Sequence, residues 1–374
     1  MTQLHINARF LGSPHQTGTH RSSTRFLQSI IENSIDYETT IHGELGAIKA
    51  LPNPNQSTYK TIDTGKPSKL GKHLYEQLRF PVQVGDAFAL HMMNTGPFIL
   101  PNKRQILIIH DLNPFKCKDS FSRLFRYWNW FACKLAIKRS FHIISFSQFV
   151  SDEIRKEFNL DPSQLSTIYQ GPGLDIPIEF SESFITEKKN YFLCVGSLQP
   201  HKNLARVLEA WATSGLKSKG FTLNVIGKKQ AGFQGMTIDS NLAEDSSVEF
   251  SGYVSDSELM QLYREASGLI YPSIEEGFGL PVVEAFKLGC PVITSNRSCL
   301  PEIAGDAALL VDPYSVPSIS DAITELASNP QTRVNLMKLG QARAPLFTWD
   351  HAGRAFWKLI QRLDVTEPEE FRHT

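Results

Sequence analysis

The stretch YPSIEEGFGLPVVEAFKLGC, Tyr271 to Cys290, decides how the rest of the chain is read. It begins as the end of an apolar strand (Gly268, Leu269, Ile270, Tyr271) and passes through an acidic glycine turn, Glu275 to Gly279. Pro281 then falls in the first turn of a short helix and Gly289 just past its end, where these residues are favoured. A strand, a glycine turn and a helix N-terminus make an anion site, because N–H groups and the positive end of the helix dipole point the same way. Glu276 before the helix and Glu284 inside it add two carboxylates that can accept from sugar hydroxyls. The dipole alone also favours a Glu near a helix start, so the flanking segments carry the decision.

On both sides of this stretch strands and helices alternate. Upstream come a strand at 191–195, a turn from Gly196 to Lys202, a helix at 203–214 capped by Asn203, a strand at 221–226 ending at Gly227, a short strand at 248–253 and a helix at 256–266. Downstream lie strands at 291–294 and 307–311 and helices at 316–327 and 332–344. Mostly apolar strands joined by helices imply a parallel sheet covered on both faces. Residues 176–189 read as a polar linker with Pro177, and before it the same alternation occurs once already. It opens with a strand at 4–11, a turn from Gly12 to Gly18 and a helix at 19–33, and continues with a helix at 68–79. Strands follow at 87–92, 104–110, 141–146 and 165–169, with helices at 120–140 and 151–158; 44–66 is expected to be a loop with short elements. The expected fold class is α/β: two doubly wound, Rossmann-like domains facing across a cleft, a common place for a ligand. The expected division is 1–178, 179–347 and a C-terminal helix, 348–374. The first glycine turn lacks GxGxxG, so a dinucleotide site there is unsupported.

With 374 residues the chain suits two cores rather than one. Its formal net charge of zero argues against a protein that grips nucleic acid by phosphate neutralisation. Five cysteines without a CxxC pair argue against a disulfide framework or structural zinc and fit a reducing compartment. The N-terminus lacks the pattern of a signal peptide, and no apolar run reaches the roughly 18 residues of a membrane span. A cytoplasmic location is therefore expected. The helix at 120–140 carries both aromatic and basic residues, and two readings stand. It is either a basic amphipathic surface for anionic lipid or the commoner packed helix with an aromatic core face and a solvated basic face.

EEGFGLPVVEAF together with CVGSLQPHKN resembles the retaining glycosyltransferases of family four, which have the two-domain GT-B fold. INARFL with TGTHR, LIIHDLNPF, SFSQFVSDEI, VIGKK and GYVSDSELMQLYREA resemble further segments of that family in the same order. FTWDHAGRAFWKLI resembles its closing helix, which crosses back onto the first domain. The resemblance implies a role for each matching residue. Glu284 would hold the ribose hydroxyls and Glu276 the transferred sugar. Backbone N–H groups of Phe278, Gly279 and Leu280 would meet sugar or diphosphate, and Lys202 would neutralise the diphosphate. His110 would bond the donor sugar and orient the reacting centre. Gly227, Gly252, Tyr253 and Val254 would lie by the nucleobase, while Gly18, Ser197 and Arg21 would assist the diphosphate. His110, Glu276 and Lys202 are thus the expected catalytic residues. Many relatives have Arg shortly before the lysine; here Ser197 and His201 stand nearby, a weaker second charge.

The resemblance further implies transfer of a sugar, mannose or rhamnose, from a GDP-, UDP- or dTDP-linked donor to a hydroxyl of a glycan or lipid-linked glycan. Retention at the anomeric carbon and polysaccharide or lipopolysaccharide (O-antigen) assembly go with it. No cofactor is expected, and no metal, since no Asp-x-Asp lies near the glycine turn. Peripheral contact with the inner face of the plasma membrane is compatible with this; a nucleic-acid partner is not. Alternatives are an epimerase or hydrolase of the same fold, which needs an acid/base pair for proton transfer, and a non-catalytic partner subunit. The joint presence of Glu276, Glu284 and Lys202 speaks against the last.

Overall fold

A computed structural model describes residues 3–13, 17–34, 37–51, 59–65, 69–100, 102–117, 123–177, 187–227 and 245–365. It divides into two compact units. The first comprises Met1–Asp111, Asn129–Gly171 and Phe347–Thr374; the second comprises Leu112–Trp128 and Pro172–Leu346. Most of the linker at 176–189, and both lysines of VIGKK, lie outside the described residues.

The first unit is built on seven strands: β1 (Gln3–Asn7), β2 (Glu38–Gly43), β3 (Tyr59–Asp63), β4 (Phe88–His91), β5 (Gln105–Ile109), β6 (His142–Ser145) and β7 (Leu165–Thr167). Their order is β3-β2-β1-β4-β5-β6-β7, and every pair is parallel. β4, β5 and β6 are buried along their whole length, which is why they read as continuous apolar runs. No apolar run announces β2, because its buried residues include Thr39, Thr40 and His42. The His42 ring bonds His5 on β1 (Nε2 to Nδ1, 2.8 Å), so this polar strand pairs inside the sheet without orphaned imidazoles.

A helix expected to end at Arg79 runs on to Val84 through three pieces, Lys69–Leu74, a wider π-helical turn Tyr75–Arg79 and Phe80–Val84. Pro81 lacks an N–H, and the wide turn before it absorbs the break in the hydrogen-bond ladder. The final helix, Trp349–Val365, packs on the first one, Gly18–Glu32. The two approach so closely at Gly353 that a Cβ there would overlap the Ser29 carbonyl oxygen. Trp357 Nε1 donates to Ile30 O at 2.9 Å, and Phe356 meets Phe26 edge-on at 5.8 Å. This is the burial that the helical spacing of Trp349, Phe356, Trp357 and Ile360 encodes.

The second unit repeats the plan with six parallel strands: β8 (Lys189–Val195), β9 (Thr222–Ile226), β10 (Val248–Gly252), β11 (Ala266–Tyr271), β12 (Val292–Ser295) and β13 (Leu309–Val311), in the order β10-β9-β8-β11-β12-β13. Its core centres on Phe192, Trp211, Leu223, Ile270 and Ile323. In both sheets the first strand is central and the order reverses between it and the fourth: β1/β4 in one unit, β8/β11 in the other. Loops leaving the carboxyl ends of two such strands diverge and open a crevice, where ligands of doubly wound sheets bind.

Among its described side chains the aromatic helix, Arg123–Lys138, buries no aromatic face. Its buried side is Ala132, Cys133, Ala136 and Ile137, whereas Tyr127, Trp128, Trp130 and Phe131 are exposed. The packed reading of those rings therefore does not hold. Among the described residues no helix is long and apolar enough to cross a membrane.

Candidate active site

In the second unit the crevice between β8 and β11 gathers the chemistry. β11 delivers Tyr271 at its last position, and the acidic turn follows. β8 delivers Gly196, and the short turn Pro200–Lys202 follows. The His201 carbonyl accepts from Ile274 N–H at 2.8 Å, which clamps the two loops together. Asn203 does not cap the next helix, Leu204–Ser214, with its side chain. Its backbone is left-handed (φ 66°), and its Nδ2 instead donates to Pro272 O (3.0 Å) and Pro313 O (2.7 Å). That bracing fixes the loop carrying Lys202 to the end of β11.

The result is a triad in which Glu276 and Tyr271 are buried and Lys202 is partly buried. Lys202 Nζ donates to Glu276 Oε1 at 2.7 Å and to the Tyr271 hydroxyl at 3.1 Å; that hydroxyl donates to the same Oε1 at 2.6 Å. Burial alone would drive Lys202 toward its neutral form, but the charges and hydrogen bonds of Glu276 and Tyr271 prevail and hold its pKa above the usual lysine value. Burial would likewise raise Glu276, and the Lys202 charge, with His201 after it, outweighs burial, so the carboxyl is held below its ordinary range. Both shifts favour the ion pair. Burial, then Glu276, pushes the Tyr271 phenol up, so it remains a donor. His201 is pushed down to about 4, first by burial and then by the Lys202 charge. It is neutral at pH 7 and adds no second cation, so Lys202 is the charged group here.

Glu284 is buried on the helix Leu280–Lys287. Its Oε1 accepts from Gly173 N–H and its Oε2 from the Tyr263 hydroxyl, each at 3.1 Å. A ligand diol at Glu284 must therefore share these oxygens, using their second lone pairs. Gly279 caps this helix at φ 94°, and a Cβ there would lie 2.8 Å from Leu300 Cδ2. Phe278 is buried, and Leu280 is partly exposed at the helix start. The helix ends in a Schellman pattern at Gly289 (φ 64°), with Cys290 N–H on Ala285 O and Gly289 N–H on Phe286 O.

β8, β9 and β10 each run into a glycine. Gly196 N–H donates to Ile226 O at 2.9 Å and Gly227 N–H to Gly252 O at 2.8 Å. At Gly227 (φ 148°) a Cβ would overlap Gly196 O, so no side chain fits. Ser197 is partly exposed beside this ladder; Tyr253 and Val254 follow β10, Tyr253 largely exposed and Val254 half-buried.

In the first unit His110 stands at the end of β5. Its backbone N–H donates to Asn94 Oδ1 (2.6 Å), and its ring Nε2 lies 2.9 Å from Met92 O and 3.2 Å from Ser23 Oγ. A carbonyl partner requires the proton on Nε2, which leaves Nδ1 as an acceptor. Burial pushes the ring down to about 4, against the Met92 bond, so it is neutral at pH 7. Gly18, exposed, begins the helix that Thr17 caps; Thr17 Oγ1 accepts from His20 N–H. Arg21 is the fourth residue of that helix.

The β1/β4 crevice of the same unit holds a cavity of about 270 Å³ that the sequence did not disclose. Its wall includes Asn7, Arg9, His20, Lys72 and Glu76. Arg9 Nη2 pairs with Glu76 Oε2 at 2.7 Å, while Asn7 Nδ2 donates to Glu76 Oε1 at 2.9 Å. Arg9 Nη1 is buried without a hydrogen-bond partner. An orphaned guanidinium donor in a cavity is where a ligand oxygen gains most. Among the described residues no cluster of three or more His, Cys, Asp or Glu is placed to hold a metal ion.

Two parallel doubly wound sheets, one with a lysine–carboxylate–phenol cluster and a glycine-capped helix at its switch point, define a two-domain α/β fold of the GT-B class. Residues 175–343 match the family model of the glycosyl transferases group 1. The O-antigen chain mannosyltransferase RfbU of Salmonella typhimurium is 33% identical over 234 residues, 61% of this chain and 62% of the relative. The O-antigen chain mannosyltransferase B of Escherichia coli is 29% identical over 283 residues, 68% of this chain and 70% of the relative. This chain thus spans less than two thirds of the first relative's length. Anabaena HepE, solved in complex with UDP-glucose, superposes with a TM-score of 0.71 at 16% identity, covering 98% of this chain and 100% of that one. At that identity the likeness concerns the fold.

Proposed function

We propose that the protein transfers a hexosyl group, mannosyl first, from a nucleotide-diphosphate sugar to a hydroxyl of a growing O-antigen-type glycan, with retention at the anomeric carbon. The Lys202–Glu276–Tyr271 cluster at the β8/β11 switch point carries this reading. Lys202 is a charge held in place before any ligand arrives, where a diphosphate leaving group would develop negative charge. Glu284 would take the ribose hydroxyls beside Tyr263, and Gly227, Tyr253 and Val254 would face the nucleobase. Ser197, Gly18 and the N–H groups of Phe278, Gly279 and Leu280 would complete the diphosphate and sugar contacts.

In the reaction the bond from the anomeric carbon to the diphosphate oxygen breaks, and its electron pair leaves with that oxygen. The acceptor hydroxyl forms the new bond on the same face, and its proton passes to the departing diphosphate oxygen. Lys202 stabilises that oxygen; a preorganised donor of this kind contributes about 2.7–4 kcal/mol at oxyanion sites. Glu276 Oε1 positions Lys202, which leaves Oε2, without a bond to any described residue, for a hydroxyl of the sugar. His110 Nδ1 would accept from another sugar hydroxyl. No metal has a part in this scheme. The acceptor glycan would occupy the Arg9–Glu76 cavity, whose charged wall suits polyhydroxyl ligands.

The reading is supported by the two relatives named as O-antigen mannosyltransferases. Product analysis with purified protein, a panel of GDP-, UDP- and dTDP-linked sugars and acceptor glycans tests it. An α-linked product plus free nucleoside diphosphate is expected, with activity unchanged by a chelator. Free sugar alone would indicate a hydrolase, and an isomerised donor an epimerase.

A further inference from the structure

We infer that the β1/β4 cavity of the first unit is a subsite for a sugar residue carrying one negative charge on paired oxygens, a carboxylate or a phosphodiester, gripped by Arg9 and Lys72. All the described residues that line it belong to the first unit. The inference rests on the transfer reading only in taking that sugar as part of the acceptor; the binding chemistry stands by itself.

Arg9 is held along one edge of its planar head. Its Nε donates to Asn7 Oδ1 at 3.0 Å, and its Nη2 pairs with Glu76 Oε2 at 2.7 Å. These two nitrogens share an edge of the guanidinium, so the edge between Nη1 and Nη2 is left over, with Nη1 buried and unpartnered. A fork of two N–H groups matches two oxygens of one anion, and the bond is charge-assisted. The head is already fixed by Asn7 and Glu76, so a ligand need not order it. Glu76 is committed as well: its Oε1 accepts from Asn7 Nδ2 at 2.9 Å.

Lys72 supplies the charge. It lies four residues before Glu76, a spacing at which a regular helix would pair the two. Glu76 instead sits in the wide turn Tyr75–Arg79 and turns its oxygens to Asn7 and Arg9, so Lys72 has no carboxylate partner among the described residues. Wide turns of this kind recur at functional sites. Arg9 and Glu76 offset each other, which leaves Lys72 as the uncompensated formal charge among the described lining residues. His20 adds none at pH 7, because burial, and then the Lys72 charge, hold its ring below the ordinary value. A neutral sugar leaves the Lys72 charge unmatched, and a dianion meets the Glu76 carboxylate; a monoanion complements the wall. Phe10 and Met93 add apolar wall. That suits the C–H face of a sugar ring rather than a free inorganic ion, and about 270 Å³ has room for one such residue.

Isothermal titration of the full chain, without donor, tests this. The probes are methyl glycosides of glucuronic, galacturonic and mannuronic acid, the matching neutral hexosides, and a methyl hexoside carrying a methyl phosphodiester at C6. At least one charged glycoside should bind roughly tenfold or more tightly than its neutral counterpart. Lys72→Gln should bring that ratio down toward one. Arg9→Lys keeps the charge beside Glu76 but loses the fork, and should lower the ratio too. Lys72 is partly exposed, so Lys72→Gln serves if Arg9→Lys misfolds. Tighter binding of a uronoside alone assigns the group to an acidic sugar, and of the diester alone to a phosphate-bridged glycan; each supports the inference. Equal affinities for charged and neutral glycosides, or a preference that survives in the folded variants, would overturn it. No donor is present and no transfer is read, so loss of transfer would bear on the reaction proposed above and not on this subsite.

Discussion

Lys202 and Glu276 are 74 residues apart in sequence and 2.7 Å apart in the folded chain, on loops that leave two neighbouring parallel strands. Glu276 is buried and Lys202 partly so, and the geometry of the pair is fixed by groups that need no ligand: the His201 carbonyl, the Asn203 amide and the Tyr271 phenol. A double-mutant cycle in urea follows from this. Lys202→Ala leaves a buried carboxylate unpaired and should cost about 3–5 kcal/mol. Lys202→Ala with Glu276→Ala should cost less than the sum of the singles. Simple additivity would mean that the two side chains do not interact.

The functional consequences of the same substitutions differ. Lys202→Ala should weaken nucleoside diphosphate binding and lower kcat together. Glu276→Ala and His110→Ala should lower kcat more than they change nucleoside diphosphate affinity, by about 10²-fold or more if each acts mainly in the transition state. Glu284→Ala should chiefly weaken nucleotide binding. Isothermal titration alongside steady-state kinetics separates these patterns; wild-type kcat in Glu276→Ala would remove the role given to that carboxylate.

Gly227 has no room for a methyl group, whereas at Gly220 (φ 78°) nothing lies within 4 Å of the place a Cβ would take. Gly220→Ala should therefore cost about 1 kcal/mol, the strain of a left-handed alanine. Gly227→Ala must push β8 and β9 apart at Gly196 and should abolish nucleotide-induced stabilisation as well as lower Tm. Equal Tm values for the two variants would contradict the close approach.

Acid should destabilise the fold well above the range where carboxylates titrate. His42 is pushed down to about 3 and His110, His142 and His201 to about 4, burial being the largest cause each time. An unfolded chain binds these protons near pH 6.5. The unfolded state therefore holds more protons between about pH 6.5 and 4, and stability falls as pH drops through that window. Each histidine contributes roughly 1.4 kcal/mol per pH unit there. Tm followed by circular dichroism should fall steadily from about pH 7 to pH 5; a flat profile would mean that these rings are protonated in the fold.

Much of the architecture was legible because parallel strands buried on both faces must be apolar throughout, as Ile106–Ile109 and Leu269–Ile270 are. β2 escaped because Thr39, Thr40 and His42 are polar yet buried, His42 bonded to His5 and Tyr75, which hydrophobic pattern cannot register. The aromatic helix misled for a related reason. Periodicity says that Tyr127, Trp128 and Phe131 lie on a face, but not whether that face meets protein. Glu276, Lys202 and Glu284 were visible as motif residues. Their partners Tyr271, Tyr263 and Asn203 were not, since each acts through a contact that only the fold makes: Tyr271 with Lys202, Tyr263 on one helix with Glu284 on another, and Asn203 with the Pro272 and Pro313 carbonyls. The Arg9–Glu76 cavity likewise joins residues 67 positions apart by number, and only the β1/β4 reversal brings them together.

The most direct test is transfer itself. Wild-type protein and Lys202→Ala are incubated with a mannosyl nucleotide-diphosphate donor and an O-antigen-type acceptor, and nucleoside diphosphate release and anomeric configuration are read by NMR. Wild type should release one nucleoside diphosphate per α-mannosyl bond formed, and Lys202→Ala should be slower by at least about 10²-fold. A β-linked product, or a Lys202→Ala variant as fast as wild type, would contradict the account.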